Sequence, residues 1–130
     1  MNIQYRTNDT QLDVITFIKM ADQVWSGKYH LQYAKEALER TINTTAWEND
    51  KLIGCVRVLT DGYFFGTITE ILVLPDYQKQ GVGENLMTLA FETSPTSLFF
   101  GAQTEVEGFY EKLGYEKSLQ SFCKKKSRRQ

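Results

Sequence analysis

The chain has 130 residues, 42% apolar and 24% charged, and its 15 lysines and arginines against 16 aspartates and glutamates leave a net charge of −1 with the lone histidine neutral. That is the make-up of one domain spanning 1–130, able to bury roughly two-thirds of its unfolded surface without metals or disulfides as staples. Near-zero charge speaks against a dedicated nucleic-acid or membrane-surface protein, and no apolar run approaches the roughly 20 residues that cross a bilayer.

Residues 2–6 alternate as a short strand, and Asn8 or Asp9 offers a cap for a helix with apolar positions at Val14, Phe17, Ile18, Ala21, Val24 and Trp25. A second helix over 31–42 carries Ala34, Ala37, Leu38 and Thr41 on one side and Lys35, Glu36, Glu39 and Arg40 elsewhere. The period then drops to two. Residues 44–48, an Asn49-Asp50 turn, 52–59, an Asp61-Gly62 turn and 63–74 read as an antiparallel meander. Pro75 ends the last strand because it has no N–H to give to a ladder. Val82, Leu86, Leu89 and Ala90 mark a third helix, and 97–101 a short buried strand. Val106, Phe109, Tyr110 and Leu113 mark a fourth helix that stops at Gly114, followed by a final strand over 115–123. Residues 124–130, KKKSRRQ, form a basic tail expected to be disordered.

Cysteine and histidine usage narrows the chemistry. Cys55 and Cys123 lie far apart and a single histidine cannot complete a Cys/His zinc set, so no metal is expected. Cys55, inside LIGCVRV, reads as a small buried hydrophobe. His30 has no Ser or Asp at a hydrolase spacing. MNIQYRTNDT shows no basic-then-apolar leader, which predicts a cytoplasmic protein.

The informative segment is 68–84, ITEILVLPDYQKQGVGE. A buried strand breaks at a proline, and a polar loop feeds Gly81 and Gly83 into a helix N-terminus. The first-turn N–H groups of a helix lack internal partners and carry the positive end of its dipole, and glycines let a ligand approach the backbone. Phosphate oxygens suit that place, although a plain strand-to-helix turn uses glycines for their backbone angles too. A P-loop would need Lys and Ser or Thr after the second glycine, where Glu84 and Asn85 stand. A dinucleotide fingerprint would need a third glycine where Leu86 stands.

The string Gln78-Lys79-Gln80-Gly81-Val82-Gly83 resembles the Gln/Arg-x-x-Gly-x-Gly/Ala signature of GNAT superfamily N-acetyltransferases, and ILVLPDY resembles that family's strand and proline exit. Further on, GFYEKLGY at 108–115 is similar to the family's FYEKLGF element. The resemblance implies the GNAT fold: an α/β chain of the α+β kind, with a central, mostly antiparallel mixed sheet of six to seven strands flanked by four helices. It implies acetyl-CoA as co-substrate and a primary amine of a small molecule or protein as acceptor, with direct transfer in a ternary complex. Family members often form dimers.

Residue by residue, the resemblance puts the pantetheine arm against the backbone of Leu72, Val73 and Leu74, and the pyrophosphate on the N–H groups from Lys79 to Glu84, through Gln80, Gly81, Val82 and Gly83. Many members carry an Asn six residues before the Phe of the FY pair; Gln103 stands there. Tyr110 is the implied general acid, since a phenol with a pKa of about 10 holds a proton at neutral pH that a thiolate of pKa about 8.5 takes up. On helical periodicity alone Tyr110 reads as core packing, on one face with Val106, Phe109 and Leu113, and it is the resemblance that favours the acid. Glu70 is the candidate base, on a strand where partial burial would raise its pKa; ordinary alternation would instead point it outward. Trp25, Tyr29, Arg57 and Tyr63 are candidate walls of the acceptor pocket, with cross-strand pairing an alternative for Arg57 and a turn role one for Asp61. Two other functions stay open: an acyl-CoA sensor that does not turn over, and a nucleic-acid module acting through the basic tail.

Overall fold

The computed structural model describes residues 2–127. In chain order the elements are β1 (Ile3–Arg6), α1 (Val14–Val24), α2 (Leu31–Glu39), β2 (Ile42–Glu48), β3 (Lys51–Thr60), β4 (Gly66–Val73), α3 (Val82–Thr93) and α4 (Glu107–Lys112). Single 3-10 turns stand at Pro75–Tyr77 and Thr104–Val106. The four strands form one antiparallel sheet in the order β1-β2-β3-β4.

The sheet is sandwiched. A Cβ at Gly54 would lie 3.0 Å from Leu86 Cδ1 and 3.5 Å from Val82 Cγ1, which puts α3 over one face of β3. On the other face the Arg57 guanidinium sits 5.6 Å from the Phe17 ring of α1. β2 and β3 are therefore buried on both sides, and the core runs through Ile53, Cys55, Val56, Leu72, Leu86 and Met87. β3 reads as a near-continuous apolar run for that reason, whereas β2 buries the polar Asn43, Thr44 and Thr45.

Local chemistry sets the helix starts. α1 is capped by Asp13, whose carboxylate accepts the Thr16 N–H at 3.0 Å, and not by Asn8 or Asp9. Asp9 turns inward instead, where its carboxylate accepts from Thr45 Oγ1 at 2.7 Å and from the Gln11 N–H at 3.1 Å. Trp47 Nε1–H donates to the same Thr45 oxygen at 2.8 Å, so a buried acid and an indole share one hydroxyl. His30 caps α2 through Nδ1, which accepts the Tyr33 N–H.

Four expectations need correction. Among the described residues the sheet has four strands, not six to seven. The segment 97–101 contributes one parallel bridge, Thr67 to Phe99, because it diverges from β4 after that point. Residues 115–123 form no strand: Leu119 and Phe122 are 94% and 93% exposed, and with so short a neighbour there is no ladder for them to extend. β4 also starts at Gly66 and not at Tyr63, since Asp61 Oδ1 accepts the N–H groups of Tyr63, Phe64 and Phe65 at 2.9, 2.8 and 3.1 Å and holds them in a turn. Of the basic tail, Lys124 to Ser127 are exposed, and 128–130 lie outside the described residues.

Candidate active site

β4 is an edge strand for half its length. The Phe99 N–H bonds to the Gly66 C=O at 2.9 Å and the Ile68 N–H to the Phe99 C=O at 3.3 Å, and pairing on that side then ends. One extra residue, Thr69, follows: Arg57 is opposite Glu70 while Val58 is opposite Ile68. This bulge re-phases the strand. Beyond it, the Leu74 N–H bonds to the Ile53 C=O at 2.9 Å and the Leu72 C=O faces Gly54, so Leu72 and Leu74 give their backbone to β3. By alternation, Ile71 and Val73 present theirs to the open edge. The Val73 C=O accepts the Gln78 side-chain amide at 2.9 Å.

The loop after β4 is built to expose amides. Lys79 and Gly81 have φ of 62° and 85°, left-handed values that swing successive N–H groups to one side. Glycine takes up such a φ at no steric cost. The first helical bond of α3 runs from the Asn85 N–H to the Gly81 C=O, and among the described residues no acceptor meets the N–H groups from Lys79 to Glu84. Gln80 stiffens the loop by donating its side-chain amide to the Asp76 C=O. The ammonium of Lys79 is exposed and has no ion pair among the described residues.

An aromatic cluster abuts this cradle. A Cβ at Gly83 would stand 3.6 Å from Phe109 Cζ and 3.9 Å from Ile71 Cδ1 and Val73 Cγ2. Phe109 meets Tyr110 edge-on at 5.1 Å between centroids, and Tyr110 meets Phe100 at 4.8 Å. Cradle, free strand edge and Tyr110 are thus neighbours. Tyr110 is half-buried, and burial pushes its phenol above the ordinary value, so it keeps its proton through the physiological range.

On the opposite face, Arg57 and Glu70 are paired across β3 and β4, with Nε to Oε1 at 2.7 Å and side chains 16% and 33% exposed. A cavity of about 540 Å³ opens beside Arg57, lined by Tyr33 and Glu36 of α2, its C-cap Arg40, Thr41, and Arg57, Leu59 and Thr69 of the sheet. The bulge therefore lies between two spaces, the half-free edge of β4 and the groove beside Arg57.

The model of the GNAT acetyltransferase domain matches residues 39–117. The chain belongs to the GNAT family. Among relatives, an uncharacterized N-acetyltransferase, ycf52, of Gracilaria tenuistipitata var. liui is 33% identical over 107 residues, which is 75% of this chain and 58% of the relative. The chloroplastic GCN5-related N-acetyltransferase 2 of Arabidopsis thaliana is 36% identical over 73 residues, 53% of this chain and 28% of that protein. The chain thus spans about half or less of the length of these two. Among solved structures, a GNAT family acetyltransferase from Streptococcus pneumoniae TIGR4 superposes with a TM-score of 0.80 at 20% identity, covering 98% of this chain and 100% of that one.

Within this GNAT chain, the sequence-named residues do not all converge. Gln78 to Glu84, Val73 and Tyr110 come together around the open edge of β4. Gln103 lies exposed at the start of the turn before α4. Glu70 pairs with Arg57, which lines the groove, while Glu70 itself, Trp25, Tyr29 and Tyr63 are not among the groove's lining residues. Trp25, 66% exposed, ends α1; the Tyr29 hydroxyl donates to the Trp25 C=O; Tyr63, 83% exposed, sits on the hairpin turn. Sequence reasoning missed Ile71, Thr69 and the α2 wall of Tyr33, Glu36 and Arg40. Only the last had a signal, the polar face of α2. Among the described residues no three His, Cys, Asp or Glu side chains converge, and no helix is long and apolar enough to cross a membrane.

Proposed function

We propose that this GNAT chain is a single-domain N-acetyltransferase that moves an acetyl group from acetyl-CoA directly to a primary amine. The run of unpartnered amides from Lys79 to Glu84, opening beside a free strand edge and a protonated phenol, carries this reading. A diphosphate fits the cradle, with Lys79 adding charge and Gly81 and Gly83 allowing close approach. The amide-rich pantetheine arm pairs with Ile71 and Val73 as an added strand, which refines the pairing expected of Leu72, Val73 and Leu74. Gln103, exposed at the start of the turn before α4, is proposed as a further contact for the arm.

The acceptor amine enters from the groove beside Arg57 and Thr69. A bound amino group of pKa about 10.4 must lose a proton before it attacks, and Glu70 is the group we assign to take it. Attack on the thioester carbon breaks the C–S bond, an edge N–H of β4 supports the carbonyl oxygen, and Tyr110 delivers its proton to the departing sulfur. A structure of AAC(6')-Iy in complex with the bisubstrate analog CoA-S-monomethyl-acetylneamine superposes with a TM-score of 0.73 at 17% identity over 98% of this chain and 100% of that one, which supports the fold as a carrier of such a ternary arrangement. Two free thiols suit a reducing compartment, and we propose the cytoplasm; a chloroplastic relative shows that the family itself does not fix the compartment.

The test is thermal melting with acetyl-CoA beside ATP and NAD, followed by release of free coenzyme A with a panel of amines. At 100 times its dissociation constant a ligand adds about 2.7 kcal/mol to stability. A shift with acetyl-CoA alone, plus amine-dependent release, supports the enzyme. A shift with no release from any amine would make the chain a sensor, and equal shifts with all three nucleotides would end the assignment.

A further inference from the structure

The cavity of about 540 Å³ beside Arg57 carries a charge pattern that acetyl transfer alone does not call for. Among the described residues three charged side chains line it, Glu36, Arg40 and Arg57. Arg57 is fixed by its neighbours: Nε donates to Glu70 Oε1 at 2.7 Å, and Nη1 to Thr41 Oγ1 at 3.5 Å. Thr41 Oγ1 in turn donates to Asn43 Oδ1 at 2.7 Å, and the buried Asn43 ties its own amide to the Leu38 C=O at 2.9 Å. The third guanidinium nitrogen, Nη2, meets no acceptor among the described residues. It is not sealed in either, since the Tyr115 hydroxyl is the one buried side-chain polar atom there that lacks a partner. The open space beside Arg57 is the cavity.

Arg40 brings a second guanidinium to the same space. It is the C-cap of α2 and immediately precedes Thr41, the residue that holds Arg57. Arg40 is exposed and has no ion pair among the described residues, although Glu36 stands one turn before it. The Glu36 carboxylate takes the Gln32 side-chain amide at 3.3 Å instead. Two guanidinium groups therefore line one small cavity, and of the two only Arg57 is matched by a carboxylate. An amine arrives as an ammonium ion, which these cations would repel if it carried nothing else.

We propose that the acceptor is a small amine bearing an acid group, a carboxylate or a phosphate, which docks between Arg40 and Arg57 and leaves the amino end toward Thr69 and Glu70. The inference rests on the reading of this groove as the acceptor's way in. The cavity has the volume of a small-molecule site. Guanidinium groups present planar forks of donors that match the oxygens of a carboxylate or phosphate. Because Glu70 and Thr41 already hold Arg57, little side-chain freedom is lost when the acid binds. Arg57 then joins the two ends of the reaction, with the acceptor's anion on one nitrogen and the assigned base on another.

The test is a matched panel on the full chain: aminoalkyl carboxylates and aminoalkyl phosphates of graded length, each beside its uncharged amide or alcohol, read as release of free coenzyme A at saturating acetyl-CoA. An acid-bearing amine should exceed its uncharged counterpart in kcat/KM by about 10- to 100-fold, the range of one hydrogen bond between charged groups, and the better series names the acid. Arg40→Gln should remove most of that preference by raising the KM for the acid-bearing amine, with the KM for acetyl-CoA unchanged. Its melting point should match wild type, since Arg40 is exposed and unpaired. Lys19→Gln makes the same charge change on an exposed α1 residue that does not line the cavity, and should keep the preference. A preference that survives Arg40→Gln, or that Lys19→Gln abolishes equally, would overturn the inference. Release from no amine at all would sink the transferase reading and the inference with it, whereas release without regard to the acid group would sink the inference alone.

Discussion

Glu70 offers a place where structure and chemistry can be separated by two substitutions. Its carboxylate holds the Arg57 Nε–H at 2.7 Å, with the two side chains 33% and 16% exposed. Glu70→Gln keeps an oxygen for that hydrogen bond and loses only the charge, so its stability cost should stay near about 1 kcal/mol or less, the range of exposed pairs. Glu70→Ala leaves a mostly buried guanidinium without its acid, and its cost should lie between exposed and buried pairs, about 1–3 kcal/mol. Turnover should not follow that order. An alkylamine of pKa about 10.4 is neutral roughly once in 2500 molecules at pH 7, and that fraction rises tenfold per unit of pH. If Glu70 takes the ammonium proton, both variants should fall about 10²- to 10⁴-fold at low pH and recover as the amine deprotonates unaided. Tyr110 stays protonated through this window because burial raises its pKa, so the recovery is not masked. The assays are urea unfolding and coenzyme A release between about pH 6.5 and about pH 9.5. A ratio of wild-type to Glu70→Gln rates that stays constant across that range would refute Glu70 as the base.

Other outcomes follow from single sites. Gly81→Ala meets no atom within 4 Å of the new Cβ but must hold φ 85°, so urea unfolding should show a loss of about 1–2 kcal/mol and acetyl-CoA should raise the melting point less than in wild type. Thr45→Val strands the Asp9 carboxylate and the Trp47 indole together, and should cost about 2–4 kcal/mol by urea unfolding. Cys55 is fully buried and its thiol is pushed up to about 12 by burial, whereas Cys123 is exposed; a thiol reagent should titrate one group in the native chain and a second only after denaturation.

Much of this was legible in the letters, for physical reasons. The proline and the two glycines after β4 mark the strand exit and the left-handed turn because few other residues tolerate those geometries. The four helices announce themselves through period 3.6. What stayed hidden depends on partners distant in sequence. Asp9 and Asp13 are equally good caps, and only the buried Thr45, 36 residues away, draws Asp9 inward. The bulge at Thr69 leaves no trace in a strand whose neighbours are apolar on both faces, so which amides face the edge could not be counted from Pro75 backward. Tyr63, Phe64 and Phe65 have the composition of a strand, and one carboxylate oxygen on Asp61 overrules it. Tyr115 reads as the start of a strand, and only the fold shows its hydroxyl shut away beside Tyr110.

The half-free edge of β4 has a consequence for handling the protein. A row of main-chain donors and acceptors with no ladder partner is a template on which any extended peptide can crystallise, including another molecule's own strands. The Gln78 amide, seated on the Val73 carbonyl, blunts it at one point. The edge proposed to receive the arm is thus also the place where self-association is expected, and purification in the presence of coenzyme A should suppress it if the arm docks there.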